Sequence, residues 1–136
     1  MILKGKTVNE GRAEGEALVS KIPFSFTGDI EVASGKIIGK GHDVEGQSLK
    51  GKIFVFPAGK GSAAGPVTAY LAKLAGNAPA GMILTKAEPI IAMAAIMNDI
   101  PMVHELDKNP VEVIHTGDYI KIDAGAGTVE VMSKGH

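Results

Sequence analysis

The chain has 136 residues, 45% of them hydrophobic, and a formal net charge of −1 at pH 7. This length suffices for one domain with a hydrophobic core, and the apolar fraction excludes a largely disordered chain. The near-neutral charge gives no indication of a nucleic-acid partner or of binding to a membrane surface. We therefore expect a single domain over residues 1–136.

The sequence contains no cysteine and four scattered histidines. Disulfides, thiol catalysis and cysteine-ligated clusters are therefore excluded within this chain. The histidines lack the short spacing of a metal-binding pair, so we expect no metal or cofactor held by this chain alone. We assign His104, His115 and His136 to the surface.

We expect a cytoplasmic protein. Residues 1–6 lack the long apolar segment of a signal peptide. No apolar run approaches the roughly 20 residues that a membrane-spanning helix needs.

In chain order, the first third of the sequence has a β-rich pattern, with a strand predicted over residues 11–20. Residues 52–56 are a short apolar run bounded by Gly and Pro, which predicts a buried strand. Residues 82–84 predict a second buried strand, and residues 102–103 a short third one.

Two helices are predicted between these strands. Ser62 follows a Gly-rich break and has the character of a helix N-cap, and Gly76 ends this helix. Glu88 and Pro89 open the second helix. Apolar residues at helical spacing define one face of each helix: Val67, Tyr70, Leu71 and Leu74, then Ile90, Met93, Ala94 and Met97. We expect Met93, Met97 and Met102 to fill the core.

The chain closes with a predicted hairpin of residues 119–123 and 128–132, joined through a Gly-Ala-Gly turn. The order is thus β-rich, then β-α-β-α-β, then β. Strands joined by helices should be parallel. Packing β-rich flanks on such a core predicts the α/β class with a three-layer β/β/α sandwich.

The loop of residues 59–65, with the sequence Gly-Lys-Gly-Ser-Ala-Ala-Gly, is the candidate functional site. It lies where a strand passes into a helix, so free N–H groups and the positive end of the helix dipole would attract an anion. Lys60 adds a mobile cation. In the alternative interpretation, Ser62 only caps the helix. The glycine spacing matches neither a Walker A loop nor a dinucleotide fingerprint.

Several segments together resemble the small subunit of aconitase X. They follow in order over roughly positions 11 to 123, and comprise residues 23–26, 34–38, 41–52, 56–62, 78–80 and 88–90. The resemblance implies a swivelling β/β/α domain like the mobile domain of aconitase. It also implies a hydro-lyase that works only as a heterodimer with a large subunit, whose cysteines hold an iron–sulfur cluster.

Among the members that the chain resembles, archaeal-type enzymes with a stand-alone small chain dehydrate (R)-5-phosphomevalonate to trans-anhydromevalonate 5-phosphate, in isoprenoid biosynthesis. Fused or bacterial relatives act on cis-3-hydroxy-L-proline. The resemblance therefore implies a small hydroxy acid as substrate, and the anion-attracting loop suits a phosphorylated one.

The resemblance implies that Ser62 is the proton acceptor. The residues themselves indicate candidate substrate contacts at Gly59 and Gly61, which let the backbone approach a ligand, and at Lys60, which supplies a cation. His42 and Glu88 are weaker candidates, because a polar turn and a first-turn helix acid explain them equally well. Many relatives carry further Ser or Thr after the motif serine. This chain has alanines at positions 63 and 64 instead, which leaves the substrate open.

Two other function classes remain open at this point. Residues 80–85, 94–96 and 100–103 are similar to phosphohistidine swivelling domains of phosphotransfer enzymes. Those domains need a histidine just before the Ala-Ala-Ile stretch, where this chain has Met93. A non-catalytic binding or regulatory domain would have the same fold.

Overall fold

A computed structural model describes residues 1–132, in which eight strands form one mixed sheet in the order β1-β8-β7-β3-β4-β5-β6-β2. The elements in chain order are β1 (Ile2–Lys4), β2 (Lys6–Asn9), β3 (Arg12–Val19), α1 (Phe26–Asp29), β4 (Ile53–Phe56), α2 (Gly65–Leu74), β5 (Gly81–Leu84), α3 (Pro89–Met97), β6 (Met102–His104), α4 (Pro110–Val113), β7 (Tyr119–Asp123) and β8 (Thr128–Met132). The prediction for His136 lies outside the described residues.

The sheet has a parallel half and an antiparallel half. Strands β3, β4, β5 and β6 run parallel. The β7–β8 hairpin pairs antiparallel with β3, and β1 pairs antiparallel with β8. The parallel order of the central strands and the closing hairpin confirm the predictions made from the pattern.

Alternation along the buried strands separates two cores. In β4, Ile53 and Val55 join the core between the two halves of the sheet, whereas Phe54 and Phe56 join the core beneath the helices. All four side chains are fully buried, as expected for a strand covered on both faces. The two cores stack as three layers, and the predicted β/β/α sandwich is confirmed.

The sheet folds back on itself at Gly5. This residue joins β1 to β2, which lie at opposite ends of the strand order. The Gly5 N–H donates to the Gly127 carbonyl at 2.8 Å, which ties the corner to the hairpin turn. The sequence did not predict β1 and β2, because each is short and neither alternates cleanly.

The helices are where the sequence predicts them, but the predicted apolar face of α2 points outward, and so do the methionines on the predicted face of α3. Helix α2 buries Gly65, Pro66, Ala69 and Ala72, and α3 buries Ile91, Ala94 and Ala95. Small side chains let a helix backbone approach the sheet closely, so the larger residues are left outside. The core assignments of Met93 and Met97 are therefore wrong, since they are 52% and 58% exposed, whereas Met102 is fully buried as expected.

Two histidines differ in exposure. His115 is exposed, as predicted. His104 is not a free surface residue, because its side chain is only 18% exposed and its Nδ1 accepts a hydrogen bond from the Ala87 N–H at 2.9 Å.

None of the helices in residues 1–132 has the length and apolar character needed to cross a bilayer.

Candidate active site

The Gly-rich loop is held by a segment that is distant in the sequence. Phe24 and Gly59 form a parallel bridge. The Phe24 N–H donates to the Ala58 carbonyl at 3.0 Å, and the Lys60 N–H donates to the Phe24 carbonyl at 3.2 Å. Two of the segments that carry the resemblance, residues 23–26 and 56–62, therefore lie side by side.

A cluster of buried aromatic rings supports this pairing. The ring of Phe24 lies 5.1 Å from Phe26, 5.0 Å from Phe54 and 5.7 Å from Phe56, in edge-to-face arrangements. Phe54 and Phe56 stack at 4.5 Å. Such packing locks the rings in place, so the loop rests on a rigid base.

Ser62 is exposed and does not cap a helix. Helix α2 begins at Gly65, Ala64 occupies the N-cap position, and no side chain accepts a hydrogen bond there. The Gly65 N–H instead donates to the Ser62 carbonyl at 2.9 Å, which closes a turn between the serine and the helix. The prediction of Ser62 as N-cap is therefore wrong, because this turn keeps the serine out of the cap position.

The backbone at Ser62 is strained. Its φ is 105°, a value that side-chain-bearing residues rarely adopt, and it follows Gly61 with φ 82°. Within residues 1–132 the Ser62 hydroxyl has no hydrogen-bond partner, and the residue is exposed. Strain of this kind concentrates at functional positions, where the surrounding structure holds it.

Lys60 forms an ion pair that the sequence did not predict. Its Nζ lies 2.9 Å from Oδ2 and 3.2 Å from Oδ1 of Asp29. The lysine side chain is 49% exposed, whereas that of Asp29 is only 7% exposed. The pair offsets the charge of Lys60, but a lysine ammonium has three donors and can still donate outward. Asp29 stands in a Gly-Asp turn, and no local signal singles it out.

Ser25 joins Asp29 in holding the loop. The buried Ser25 hydroxyl donates to the Gly61 carbonyl at 3.1 Å, and the Ser25 N–H donates to Asp29 Oδ2 at 2.9 Å. The first contact holds the residue that precedes Ser62, and the second holds the carboxylate that pairs with Lys60. Sequence reasoning did not identify Ser25 as a site residue, because its contact lies 36 positions away along the chain.

Glu88 lies against the loop but its carboxylate is already engaged. Its two oxygens accept hydrogen bonds from the N–H groups of Ile90 and Ile91, each at 3.0 Å, so Glu88 caps α3. A Cβ at Gly59 would overlap Glu88 Oε1 and come within 2.9 Å of the Ile91 Cβ. Position 59 therefore has to be glycine for the loop and the cap to meet.

His42 is buried rather than part of the loop surface. Its side chain is 2% exposed, and its Nδ1 lies 3.1 Å from Asp43 Oδ1. Its ring contacts Phe24 edge-on at 6.3 Å, and its Nε2 has no partner among the described residues. His42 thus lies next to the aromatic base and not among the side chains that line the pocket.

A shallow pocket joins the loop to the first turns of α2 and α3. Its lining comprises Phe24, Ser25, Phe26, Gly59, Lys60, Gly61, Gly65, Glu88, Ile90, Ile91 and Ala94. Since Glu88 already satisfies the start of α3, the uncapped start of α2 is the helix end left to attract an anion. The dipole at this helix end favours an anionic group, and the exposed Ser62 lies on the loop that precedes it.

The residues of this chain do not fit a resident iron–sulfur cluster. The sequence has no cysteine. In the part of the chain that the structure describes, no three His, Asp or Glu side chains are grouped to hold a metal ion. Any metal chemistry at this loop needs ligands from elsewhere.

The chain matches a known protein family over almost its whole length. A family model described as the aconitase X swivel domain matches residues 2–131. The chain belongs to the aconitase X swivel domain family. Membership confirms the resemblance drawn from the ordered segments, and nothing in the comparisons favours the phosphotransfer or regulatory alternatives.

Swivel-domain relatives match over nearly the whole chain. A protein of Methanocella arvoryzae named phosphomevalonate dehydratase small subunit is 47% identical, with 96% of this chain and 99% of the relative covered. A protein of Methanocaldococcus jannaschii with the same name is 46% identical, with 98% of this chain and all of the relative covered.

Two solved structures share the swivel-domain fold. The crystal structure of Thermococcus kodakaraensis aconitase X in its holo-form superposes with a TM-score of 0.92 at 41% identity, covering 98% of this chain and 99% of that one. A UPF0107 protein solved by NMR in solution superposes with a TM-score of 0.89 at 38% identity, covering 98% of this chain and all of that one.

Proposed function

We propose that this chain is the small subunit of a hydro-lyase that dehydrates (R)-5-phosphomevalonate to trans-anhydromevalonate 5-phosphate. The near full-length relatives that are named phosphomevalonate dehydratase small subunit are the observation that carries the proposal. The anion-attracting start of α2 beside Lys60 supports a phosphorylated acid as substrate. The alternative substrate, cis-3-hydroxy-L-proline, has no phosphate for this end of the helix.

Ser62 is the proposed proton acceptor. In the dehydration, the proton on the carbon next to the carboxylate passes to the deprotonated Ser62 Oγ, and the C–H electron pair forms the double bond. The C–O bond breaks with its electron pair on the oxygen, and the leaving hydroxide becomes water by taking a proton from solvent, to which Ser62 later returns its own. A serine is a weak base unless its deprotonated form is stabilised. The positive end of α2 and the ammonium of Lys60 both favour that anionic form. The exposure of Ser62 leaves its hydroxyl accessible to a substrate.

The neighbouring loop residues are the proposed substrate contacts. Gly61 leaves open space beside its backbone, and Lys60 has donors left for a phosphate. Gly59 lines the same pocket, but Glu88 and Ile91 fill the space where its side chain would be. Glu88 and His42 are weaker candidates for substrate contact. The Glu88 oxygens already accept from α3, and His42 is buried against Phe24.

The proposed enzyme is a heterodimer that acts in the cytoplasm. The name small subunit in the relatives supports a larger partner. The family resemblance assigns an iron–sulfur cluster, which supplies a Lewis acid for the leaving hydroxyl, to that partner. This chain, which has no cysteine, contributes the loop and its serine.

Substitution of Ser62 tests the role of the hydroxyl separately from that of the backbone. Ser62→Ala removes the hydroxyl but keeps the strained φ, whereas Ser62→Gly removes the hydroxyl and relieves the strain. We expect kcat of the complex with the larger subunit to fall about 100-fold or more in both variants, as for loss of a general base. Turnover of phosphomevalonate, followed by product formation, measures this.

The control for this experiment is Ser34→Ala, which removes a hydroxyl bonded to Glu31 in a distant turn and should leave kcat unchanged. Near-normal turnover by Ser62→Gly would exclude Ser62 as the base. Turnover by the purified chain without its larger partner, or turnover of cis-3-hydroxy-L-proline in place of phosphomevalonate, would contradict the proposed function.

A further inference from the structure

Seven large apolar side chains are exposed on the outer surface of the helix layer. We call them the helix-face patch: Val67, Tyr70, Leu71 and Leu74 on α2, and Met93, Ile96 and Met97 on α3. Their exposed fractions run from 47% for Leu71 to 67% for Leu74. Single exposed leucines are ordinary, but a contiguous group of this size on one face is not.

The two helices present these residues as one surface. The buried Asn98 side chain donates to the Pro66 carbonyl at 3.2 Å and to the Ala94 carbonyl at 2.8 Å, which ties α2 to α3. Lys73 Nζ donates to the Asn98 carbonyl. A depression of about 220 Å³ spans both helices and is lined by Tyr70, Lys73, Leu74, Met97, Asn98 and Asp99.

The helix-face patch has almost no charge. Lys73 is the single charged residue of α2, and α3 has none. A solvent-facing helix surface ordinarily carries charged residues opposite its apolar face. A surface that covers this patch must therefore be apolar too, and Met93 and Met97 can adapt to its shape.

The area suits a stable interface. Seven such side chains, each about half exposed, offer roughly 600 Å² of apolar surface. This area is at the upper end of the range found for the largest apolar patch on a monomeric protein. A standard interface buries about 800 Å² on each partner. The adjoining Gly-rich loop, which is also exposed, would supply the remainder.

The patch continues into the proposed active site. Gly65, the first residue of α2, and Ile90, in the first turn of α3, both line the pocket of the Gly-rich loop. A partner lying along the two helices would therefore also reach Ser62. A second copy of this chain on the same helices would compete with a larger subunit for that position.

We infer that the helix-face patch is the surface on which the larger subunit docks, through an apolar surface of its own. This inference rests on the proposed function, which requires a larger partner to meet the Ser62 loop. The chemistry that recognises the patch is apolar contact, so binding should depend little on salt and strongly on the loss of apolar side chains.

The test is the affinity of charged patch variants for the larger subunit encoded in the same genome. Leu71→Glu and Met93→Glu place a carboxylate on each helix at exposed positions, so the fold should be retained. We expect the double variant to raise Kd at least 100-fold by calorimetry. Hydrogen exchange on complex formation should slow at α2 and α3.

The matched control is Ile2→Glu, which places the same charge on an exposed apolar residue of β1 in the opposite layer and should leave Kd unchanged. Circular dichroism of each variant checks its fold. If the wild type binds and the complex turns over, but the double variant binds equally well, the docking surface is wrong and the proposed function stands.

Two further outcomes are distinguishable. If the wild-type chain does not bind the larger subunit, both the proposed function and the docking surface are wrong. If sedimentation shows a dimer of this chain that the double variant abolishes, while binding of the larger subunit is unaffected, the patch joins two copies and the inference is overturned.

Discussion

Asp29 controls the charge that Lys60 can offer to a ligand. Its carboxylate is nearly buried and lies 2.9 Å from the lysine Nζ, while the lysine itself is half exposed. Loss of the ion pair therefore affects the two side chains unequally. Lys60 can turn to water when Asp29 loses its charge, whereas Asp29 would keep only the Ser25 N–H if Lys60 were removed.

This asymmetry predicts unequal losses of stability. Lys60→Gln should lower the free energy of unfolding by about 1–3 kcal/mol, because it leaves a buried carboxylate underpaired. Asp29→Asn should lower it by less than about 1 kcal/mol, because the amide oxygen can still accept from Ser25. Urea unfolding of the single and double variants measures both.

A control and a kinetic readout accompany this pair of variants. Lys50→Gln changes an exposed lysine in a turn and should be neutral. The KM for the phosphorylated substrate should rise in Lys60→Gln but not in Asp29→Asn. Equal destabilisation by the two substitutions would show that the pair does not depend on burial of Asp29.

At the scale of elements, the two helices that border the site begin differently. Helix α3 carries its own carboxylate cap, since both oxygens of Glu88 accept from its first turn. Helix α2 begins at Gly65 and Pro66 without any side-chain cap. The positive end of α3 is thereby neutralised by its own cap, whereas the positive end of α2 has no carboxylate of this kind and can attract an external anion.

Removal of the α3 cap tests whether Glu88 is structural. Glu88→Ala should lower the free energy of unfolding by about 1 kcal/mol, as for loss of an N-cap, and Glu88→Gln, which keeps an acceptor, by less. Urea denaturation measures this, with the exposed Glu10→Ala as control. A tenfold fall in kcat/KM without any change in stability would show substrate contact instead.

At the scale of the whole molecule, the closed arrangement of the sheet depends on one residue without a side chain. At Gly5 a Cβ would come within 2.7 Å of the His104 carbonyl oxygen and within 2.5 Å of Leu106 Cδ2. The same residue joins β1 to β2, the two strands that stand at the ends of the strand order. The backbone crosses here with no room for even a methyl group.

Gly5→Ala should therefore lower the free energy of unfolding by about 2–3 kcal/mol, because the added methyl group overpacks the corner. Thermal unfolding should show a fall in Tm of several degrees or more. The control is Gly125→Ala in the hairpin turn, where the nearest atom would be 3.7 Å away. An equal Tm for the two variants would mean that the corner opens to accommodate the methyl group.

Much of the fold follows from local pattern. The buried strands β4 and β5, both main helices and the closing hairpin are predicted near their observed bounds, because each has its own apolar run and terminal residues. Strands β1 and β2 are missed, because segments this short, with mixed polar and apolar residues, become strands only through their pairing with β8 and β6. The outward faces of α2 and α3 are missed because helical spacing shows which residues share a face, not which face packs.

The candidate site divides in the same way. Gly59, Lys60, Gly61 and Ser62 are contiguous, so their glycines and serine mark the loop from the sequence alone. Ser25 and Asp29 lie more than 30 positions away from their partners in the loop, and only folding brings them there. Glu88 opens α3 as predicted, whereas Ser62 does not cap α2, because the turn after Ser62 shifts the start of that helix to Gly65.

The sequence by itself determined the layered α/β class, the Gly-Lys-Gly-Ser loop and the lack of any cysteine to hold a cluster. Only the tertiary structure decided that Lys60 is paired, that Ser62 is strained and exposed, and that the large apolar residues of two helices face outward. The physical reason is the distance along the chain over which each interaction acts. Periodicity and turn chemistry act between neighbours in the chain, whereas ion pairing and burial depend on residues that meet only when the sheet and helices pack.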